Sequence, residues 1–285
     1  MTSLDASTTT RLGPISPPRR TTTPEPGPRI VRSRRDDVLA LPAVLRSEHI
    51  KLTTIRSNTA IAVMTGLIGL FATWATAALV KDEVLVVADV FVYSTFLTAV
   101  IAAITSILMV TSEVQHGTLA TALTAQPARW VLVAAKTVMA VRVGVVLGVI
   151  GMVTGAAGAA LGGLATGDTG GIPGTAARAL VFTVLASVLG LGVGLVVRHS
   201  AAAISGLLVW WLVIENLLWA FLPATVSRFL PFYAGGGLLG VQVDTTTPET
   251  LAVALTRTQD ALVFGCYAAL VLLAGTVLLH RRDAH

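Results

Sequence analysis

The sequence predicts an all-α membrane protein with six transmembrane helices, and three observations carry this reading. Of its residues 54% are hydrophobic and only 12% charged, whereas a soluble domain is about a quarter charged. Several apolar runs reach about 20 residues, the length needed to cross a hydrocarbon core about 30 Å thick. The runs are continuous rather than alternating and rich in Leu, Ala, Val and Gly, which argues against barrel strands.

The net charge of +5 would suggest nucleic acid in a soluble chain. Here the basic residues flank the apolar runs, so they are read as topology signals and no nucleic-acid partner is expected. The single cysteine, Cys266, allows neither a disulfide nor a cysteine metal site within one chain.

Taken in order, residues 1–36 are rich in Thr, Pro and Arg. They cannot bury a core and are read as a disordered basic cytoplasmic tail, able to brush anionic lipid. The first 58 residues carry ten Lys/Arg and no early apolar stretch, so no secretory signal is expected. Residues 37–58 are amphipathic: Leu39, Leu41, Val44, Leu45 and Leu52 oppose Arg46, Glu48, Lys51 and Arg56. Such a helix lies in the interface.

Six spans follow, at about 59–80, 91–111, 131–163, 179–197, 201–222 and 261–280. The third is the longest and is expected to tilt or project into the cytoplasm. Arg142 falls inside it, so either it snorkels to the inner interface or the span begins later. With the N-terminus inside, sixteen Lys/Arg lie on the inner side and four (Lys81, Arg178, Arg228, Arg257) on the outer. The split predicts both termini in the cytoplasm. The long outer loop, 223–260, holds PFYAGGGLLGVQV, too short to span; it fits either a re-entrant hairpin or an ordinary amphipathic loop.

Orientation places the polar segment 112–130, SEVQHGTLATALTAQPARW, in the cytoplasm. Ser112 can cap a helix beginning at Glu113, an acid suited to the first turn. Leu119 and Leu123 form a short ridge, and Pro127 would stop the helix. The segment is either a docking helix for a cytoplasmic partner or a loop that only returns the chain to the membrane. Glu113 and His116 are three apart, but two ligands make no metal site.

Two further features lie within the spans. Glu215 sits in LLVWWLVIENLLWAFL, between Trp211 and Trp219 and beside Asn216. A carboxylate at membrane depth must face protein or water, so this cluster is a candidate substrate path or a polar packing contact. Gly144, Gly148, Gly151 and Gly155 recur at helical steps along the third span and are read as a close-packing stripe.

SEVQHGTLATALTAQPARWVLVAAK resembles the transmembrane subunits of ATP-binding-cassette transporters of the type-2 permease family, particularly those of actinobacteria. The matching positions are Glu113, Gly117, Thr118, Pro127, Ala135 and Lys136. LRSEHIKLTTIRS is similar through Glu48, Lys51 and Arg56. The likeness covers about residues 45–285 and departs at the basic tail and at RWVL, which leaves the choice of partner open.

The resemblance implies an interfacial connecting helix bearing Arg46, Glu48, Lys51 and Arg56, and a cytoplasmic coupling helix. The ATPase contact is expected at Glu113, His116, Gly117, Thr118, Leu119 and Leu123. It also implies outer re-entrant helices and a second permease copy, identical or related, on two ATPase subunits. Glu215, Asn216 and Trp211 are then substrate-path candidates. No G-x-x-x-x-G-K-[ST] loop occurs in the sequence, so no cofactor is expected in this chain; ATP and Mg would bind the partner ATPase. An intramembrane enzyme would need clustered nucleophiles, bases or metal ligands, and the spans offer one deep acid and no deep His. The expected function is export of a hydrophobic or amphipathic compound across a bacterial plasma membrane by alternating access. A non-transporting sensor or scaffold docked to an ATPase is the alternative.

Overall fold

The computed structural model describes residues 34–54, 56–79, 87–125, 128–163, 171–240 and 252–281. The basic tail before Arg34 lies outside them, as do Pro127 and the loops that carry Lys81, Asp82, Glu83, Asp168, Asp244 and Glu249. Among the described residues there is no strand.

Helices α1 (Arg34–Thr54) and α2 (Arg56–Leu79) are followed by α3 (Val87–Gln115), α4 (Thr118–Ala125), α5 (Arg129–Leu161) and α6 (Ile172–Val197). Helix α7 (Ser200–Val209) runs through a π turn (Trp210–Ile214) into α8 (Glu215–Phe221). Short helices α9 (Ala224–Ser227) and α10 (Pro231–Leu239) precede α11 (Arg257–Arg281). Among the described residues, six helical stretches are long and apolar enough to cross a membrane: α2, α3 from Ser94, α5, α6, α7–α8 and α11.

Several boundaries differ from the sequence reading, the largest shift being the fourth span, which begins at Ile172 rather than near 179; two differences have a clear local reason. Ser112 does not cap a helix. It lies inside α3, its hydroxyl donating to the Leu108 carbonyl at 2.5 Å, because nothing in Ser112–Gln115 breaks the helix. The break falls at Gly117, whose φ of +70° is a left-handed conformation that glycine adopts without a Cβ clash. The amphipathic helix is also shifted, running Arg34–Thr54 with α2 starting at Arg56 instead of ending at 58.

Helix α6 is the centre of the bundle, packed against α3, α5 and α11. Its small residues permit this. A Cβ on Gly192 would lie 2.7 Å from the Leu272 amide nitrogen of α11, and one on Gly190 would strike the Ala103 backbone of α3. Phe182 and Phe264, both fully buried, pack at 5.2 Å between ring centroids and fill the remaining space.

The glycine stripe of α5 turns around the helix and serves three neighbours. Gly144 and Gly148 face α6, Gly151 and Gly155 face Thr98 and Ser94 of α3, and Gly158 and Gly162 face α2. At Gly144 a Cβ would stand 2.6 Å from the Val184 Cα, and backbone cannot swing aside. Gly144→Ala is therefore expected to destabilise the bundle by about 1–3 kcal/mol, the range for overpacking. The check is the midpoint of heat-induced loss of the monodisperse peak in detergent.

Several long-range contacts gather one end of the bundle. Lys51 meets Glu113 at 2.9 Å, Arg129 donates to the Leu279 carbonyl at 2.6 Å, and the Ser200 hydroxyl donates to Gln115 at 3.1 Å. This end carries Lys51, Arg129 and Lys136, all assigned to the inner side by charge. At the opposite end Pro231 opens α10, where its missing N–H costs nothing. Pro231, Ala234, Gly235, Leu238 and Leu239 are buried, chiefly against α11 and α6. Nine of the thirteen residues of PFYAGGGLLGVQV thus form a packed helix that ends at Gly240, and the last three lie outside the described residues.

Candidate functional site

Three elements bring four charges together at the basic end. Helix α1 supplies Glu48 and, one turn later, Lys51. The last turns of α3 supply Glu113, and the second turn of α5 supplies Lys136. Lys51 Nζ lies 2.5 Å from Glu48 Oε1 and 2.9 Å from Glu113 Oε1. Lys136 Nζ lies 3.0 Å from Glu48 Oε2 and 2.8 Å from Glu113 Oε2. Each lysine thus bridges both acids, and the four form a closed, electroneutral ring. Three contacts are hydrogen bonds. The Lys136–Glu113 contact is ionic only, since Glu113 Oε2 accepts no hydrogen bond.

Burial makes the ring consequential. Lys136 is 1% exposed and Glu48 3%, while Lys51 is 43% exposed. A buried charge without its counter-charge costs several kcal/mol, so the ring holds α1, α3 and α5 in one relative placement. Burial alone would push the Glu48 carboxyl up, but the ammonium groups of Lys136 and Lys51 outweigh it and hold it below its ordinary value of 4.5. Burial likewise opposes the charged form of Lys51, but Glu48 and Glu113 outweigh it and raise the ammonium above 10.5.

The signs define a window. A depressed carboxyl stabilises the fold above its unfolded value and loses this as pH falls through the folded one. A raised ammonium stabilises below its unfolded value and loses this as pH rises through the folded one. Thermal stability in detergent is expected to be flat, as far as the ring is concerned, between about 4.5 and 10.5 and to drop outside. In Glu48→Gln the acid limb should weaken.

The α3–α4 hairpin stands beside the ring. His116, Gly117, Thr118 and Thr121 are exposed. His116 is pinned by Nδ1 to the Ser112 carbonyl at 2.7 Å, and the Thr118 hydroxyl donates to the Glu113 carbonyl at 3.3 Å. Leu119 and Leu123 turn the other way. Leu119 is buried among Val110, Leu132, Val133 and Leu279, with Leu123 and Val44 packed against that cluster. The expected apolar docking ridge is thus the hairpin's anchor, and the surface it presents is polar. Glu113 also points inward, to the ring. Arg46 and Arg56 are exposed on α1 and α2 and take no part in it.

The residues singled out around Glu215 form a latch onto α10. Glu215 is buried, and Oε1 accepts the Tyr233 amide N–H at 2.6 Å in the first turn of α10. Trp211 lies parallel to Phe96, 6.1 Å between centroids, and packs on Phe232 at 5.5 Å. Trp219 stacks on Tyr233 at 6.4 Å. Asn216 is exposed, and its Nδ2 donates to the carbonyls of Trp211 (3.0 Å) and Leu212 (3.2 Å). These carbonyls belong to the π turn, where the regular i→i−4 ladder is interrupted. Nearby, an apolar cleft is lined by Phe96, Val100, Phe182, Leu207, Trp211 and Phe232, without Glu215.

Asp260 and Arg257 were not singled out as site residues. Asp260 is buried, Gly237 of α10 packs directly on its carboxyl, and Arg257 donates to the Gly237 carbonyl. Only the acidic start of α11 hinted at this.

Among the described residues, the fold and these sites define an all-helical architecture with six helices long and apolar enough to cross a membrane. No protein-family model matches the chain, and no curated protein matches it.

Proposed function

We propose that this chain is the membrane-spanning subunit of an ATP-driven exporter in a bacterial plasma membrane, with both termini in the cytoplasm. A separate ATPase, in two copies, binds ATP and Mg, and a second permease copy completes the pathway. The reading rests above all on the four-charge ring. It joins the root of an exposed polar hairpin to α1 and α5, so a push on the hairpin reaches the bundle without a flexible joint between. Helix α1 serves as the connecting helix, α4 as the coupling helix, and α9–α10 as the outer re-entrant pair.

Supporting observations come from both ends of the chain's chemistry. The sequence holds no phosphate-cradling loop, which suits an exporter whose ATP is bound by another chain and whose energy arrives through a docking contact. The α7–α8 span exposes Val209, Leu212, Val213, Leu217 and Phe221, a face for lipid or the second copy. Export of a hydrophobic or amphipathic compound suits walls of Ala, Val and Leu.

Gly117 offers a test of coupling. Proline there cannot adopt φ of +70° and removes the amide that donates to the Val114 carbonyl at 3.2 Å. Gly117→Pro is expected to insert into the membrane normally yet lose most ATP-driven flux in proteoliposomes with the ATPase. Full flux and normal co-purification would remove the hairpin's assigned role. Normal ATPase turnover in the wild-type complex, with no flux of any candidate compound, would favour a sensor.

A further inference from the structure

Helices α2 and α5 pack closely at one end and separate at the other. From Gly162 to Gly158 to Gly151 the glycines of α5 let α2 or α3 approach, and a Cβ on Gly66 of α2 would still sit 3.3 Å from Thr154. Between Gly66 and Arg56 α2 has no glycine, and on that side Val143, Val146 and Leu147 of α5 line a gap between the helices. The gap is a cavity of about 330 Å³, floored by Leu52 and Thr53 at the end of α1. Its size lies within the usual range for ligand pockets, about 300–1,000 Å³.

The lining is divided by chemistry. Ile61, Ala62, Val143, Val146 and Leu147 form an apolar wall. Arg142, with Asn58 and the hydroxyls of Thr53, Thr59 and Thr105, forms the polar part. Among the described lining residues there is one cation and no acid. Arg142 reaches His49 of α1 at 3.5 Å, the outer limit of a hydrogen bond. Val146 is 44% exposed, so the cavity opens on the flank of the bundle, where α2 also exposes Val63 and Met64.

A flank opening at the basic end of a spanning helix meets lipid, not bulk water. We propose that this cavity binds an anionic phospholipid. Its phosphate sits on the Arg142 guanidinium, and an acyl chain leaves along Val146. The hydroxyls of its head donate to the side-chain oxygens of Asn58, Thr53 and Thr105, the two threonines already giving their own protons to the His49 and Ile101 carbonyls. A guanidinium suits phosphate because its planar donors match the oxygens in pairs. The bound lipid wedges α1 against α2 and α5, directly beside the charge ring. The inference uses the membrane placement proposed above but neither the ATPase nor transport, so it can fail while the exporter reading stands.

The test uses the full chain without an ATPase, in mixed micelles of phosphatidylglycerol and phosphatidylcholine, with bound lipid read by native mass spectrometry. Wild type should retain one phosphatidylglycerol per chain in preference to phosphatidylcholine. Arg142→Gln should weaken this by about fivefold, the factor given by one basic residue at an anionic surface, and Arg142→Lys should restore part of it. Val146→Trp, which fills the cavity and keeps the charge, should also lose the lipid, and it decides the matter if Arg142→Gln does not fold. Equal retention of both lipids overturns the proposal, as does unchanged phosphatidylglycerol binding in Val146→Trp. Displacement by free glycerol phosphate overturns it too, because the site would then take a soluble anion.

Discussion

Lys136→Met is expected to abolish recovery of folded protein, or to lower its stability by about 3–5 kcal/mol, the cost of removing one partner from a buried ion pair. Lys136 is 1% exposed and touches both Glu48 and Glu113. Without it, two carboxylates face each other with one half-exposed lysine left to serve both. Lys51→Met should cost far less, at most about 1 kcal/mol, because Lys51 is 43% exposed and solvent screens its pairs. Glu48→Gln combined with Lys136→Met removes a charge of each sign and should be milder than the sum of the single changes. The measurement is thermal unfolding of purified protein in detergent across these three variants and Glu48→Gln alone. Equal effects for Lys136 and Lys51 would show that burial does not set the strength of the ring.

Glu215→Ala is expected to release α10. The Tyr233 amide loses its buried acceptor, at a cost of about 1–3 kcal/mol for the unsatisfied group, and the aromatic contacts Trp211–Phe232 and Trp219–Tyr233 lose the hydrogen bond between them. Hydrogen exchange in Pro231–Leu239 should rise strongly while α3 and α6 stay protected. Glu215→Gln keeps an oxygen for Tyr233 and should leave exchange near wild type. The same pair separates latch from substrate path. If flux falls in Glu215→Ala and survives in Glu215→Gln, the carboxylate serves position. If Glu215→Gln alters substrate handling or its pH dependence while α10 stays protected, the charge itself acts in the path.

The two sites show how far the sequence could be read. Six apolar runs of membrane-crossing length give the helices almost unaided, since length and continuity are local properties. Gly144, Gly148, Gly151 and Gly155 announce close packing through their spacing. Their neighbours could not be read, because the stripe turns around α5 and each glycine's partner depends on how α2, α3 and α6 are arranged. Glu48, Lys51, Glu113 and Lys136 all stood out by resemblance, yet nothing in their spacing joins them into a ring: Glu48 and Lys136 are 88 positions apart. The orientation of Leu119 was equally hidden. A two-leucine ridge on a short helix near an interface fits burial or docking, and the apolar side chains of α3, α5 and α11 beneath it decide for burial.

Glu215 illustrates a different limit. A lone acid in an apolar span signals a buried polar contact, but its acceptor role depends on α10 returning to the bundle. The π turn before it carries no clear sequence mark; the Asn216 amide bonded to the Trp211 and Leu212 carbonyls is its only trace.

The most direct test of the central claim, that an ATPase drives this chain through the α3–α4 hairpin, is ATP-dependent flux in proteoliposomes. These would hold the purified chain with its co-purifying ATPase, comparing wild type with a His116→Ala/Thr121→Ala variant whose changes touch only the exposed face. The account predicts an ATPase present in equal number to the membrane chain. It also predicts flux in wild type that needs ATP and Mg, and a fall of at least about tenfold in the variant, the factor given by about 1.4 kcal/mol of lost coupling, with membrane insertion unchanged. A chain that purifies without any ATP-hydrolysing partner, or a variant whose flux equals wild type, would contradict it.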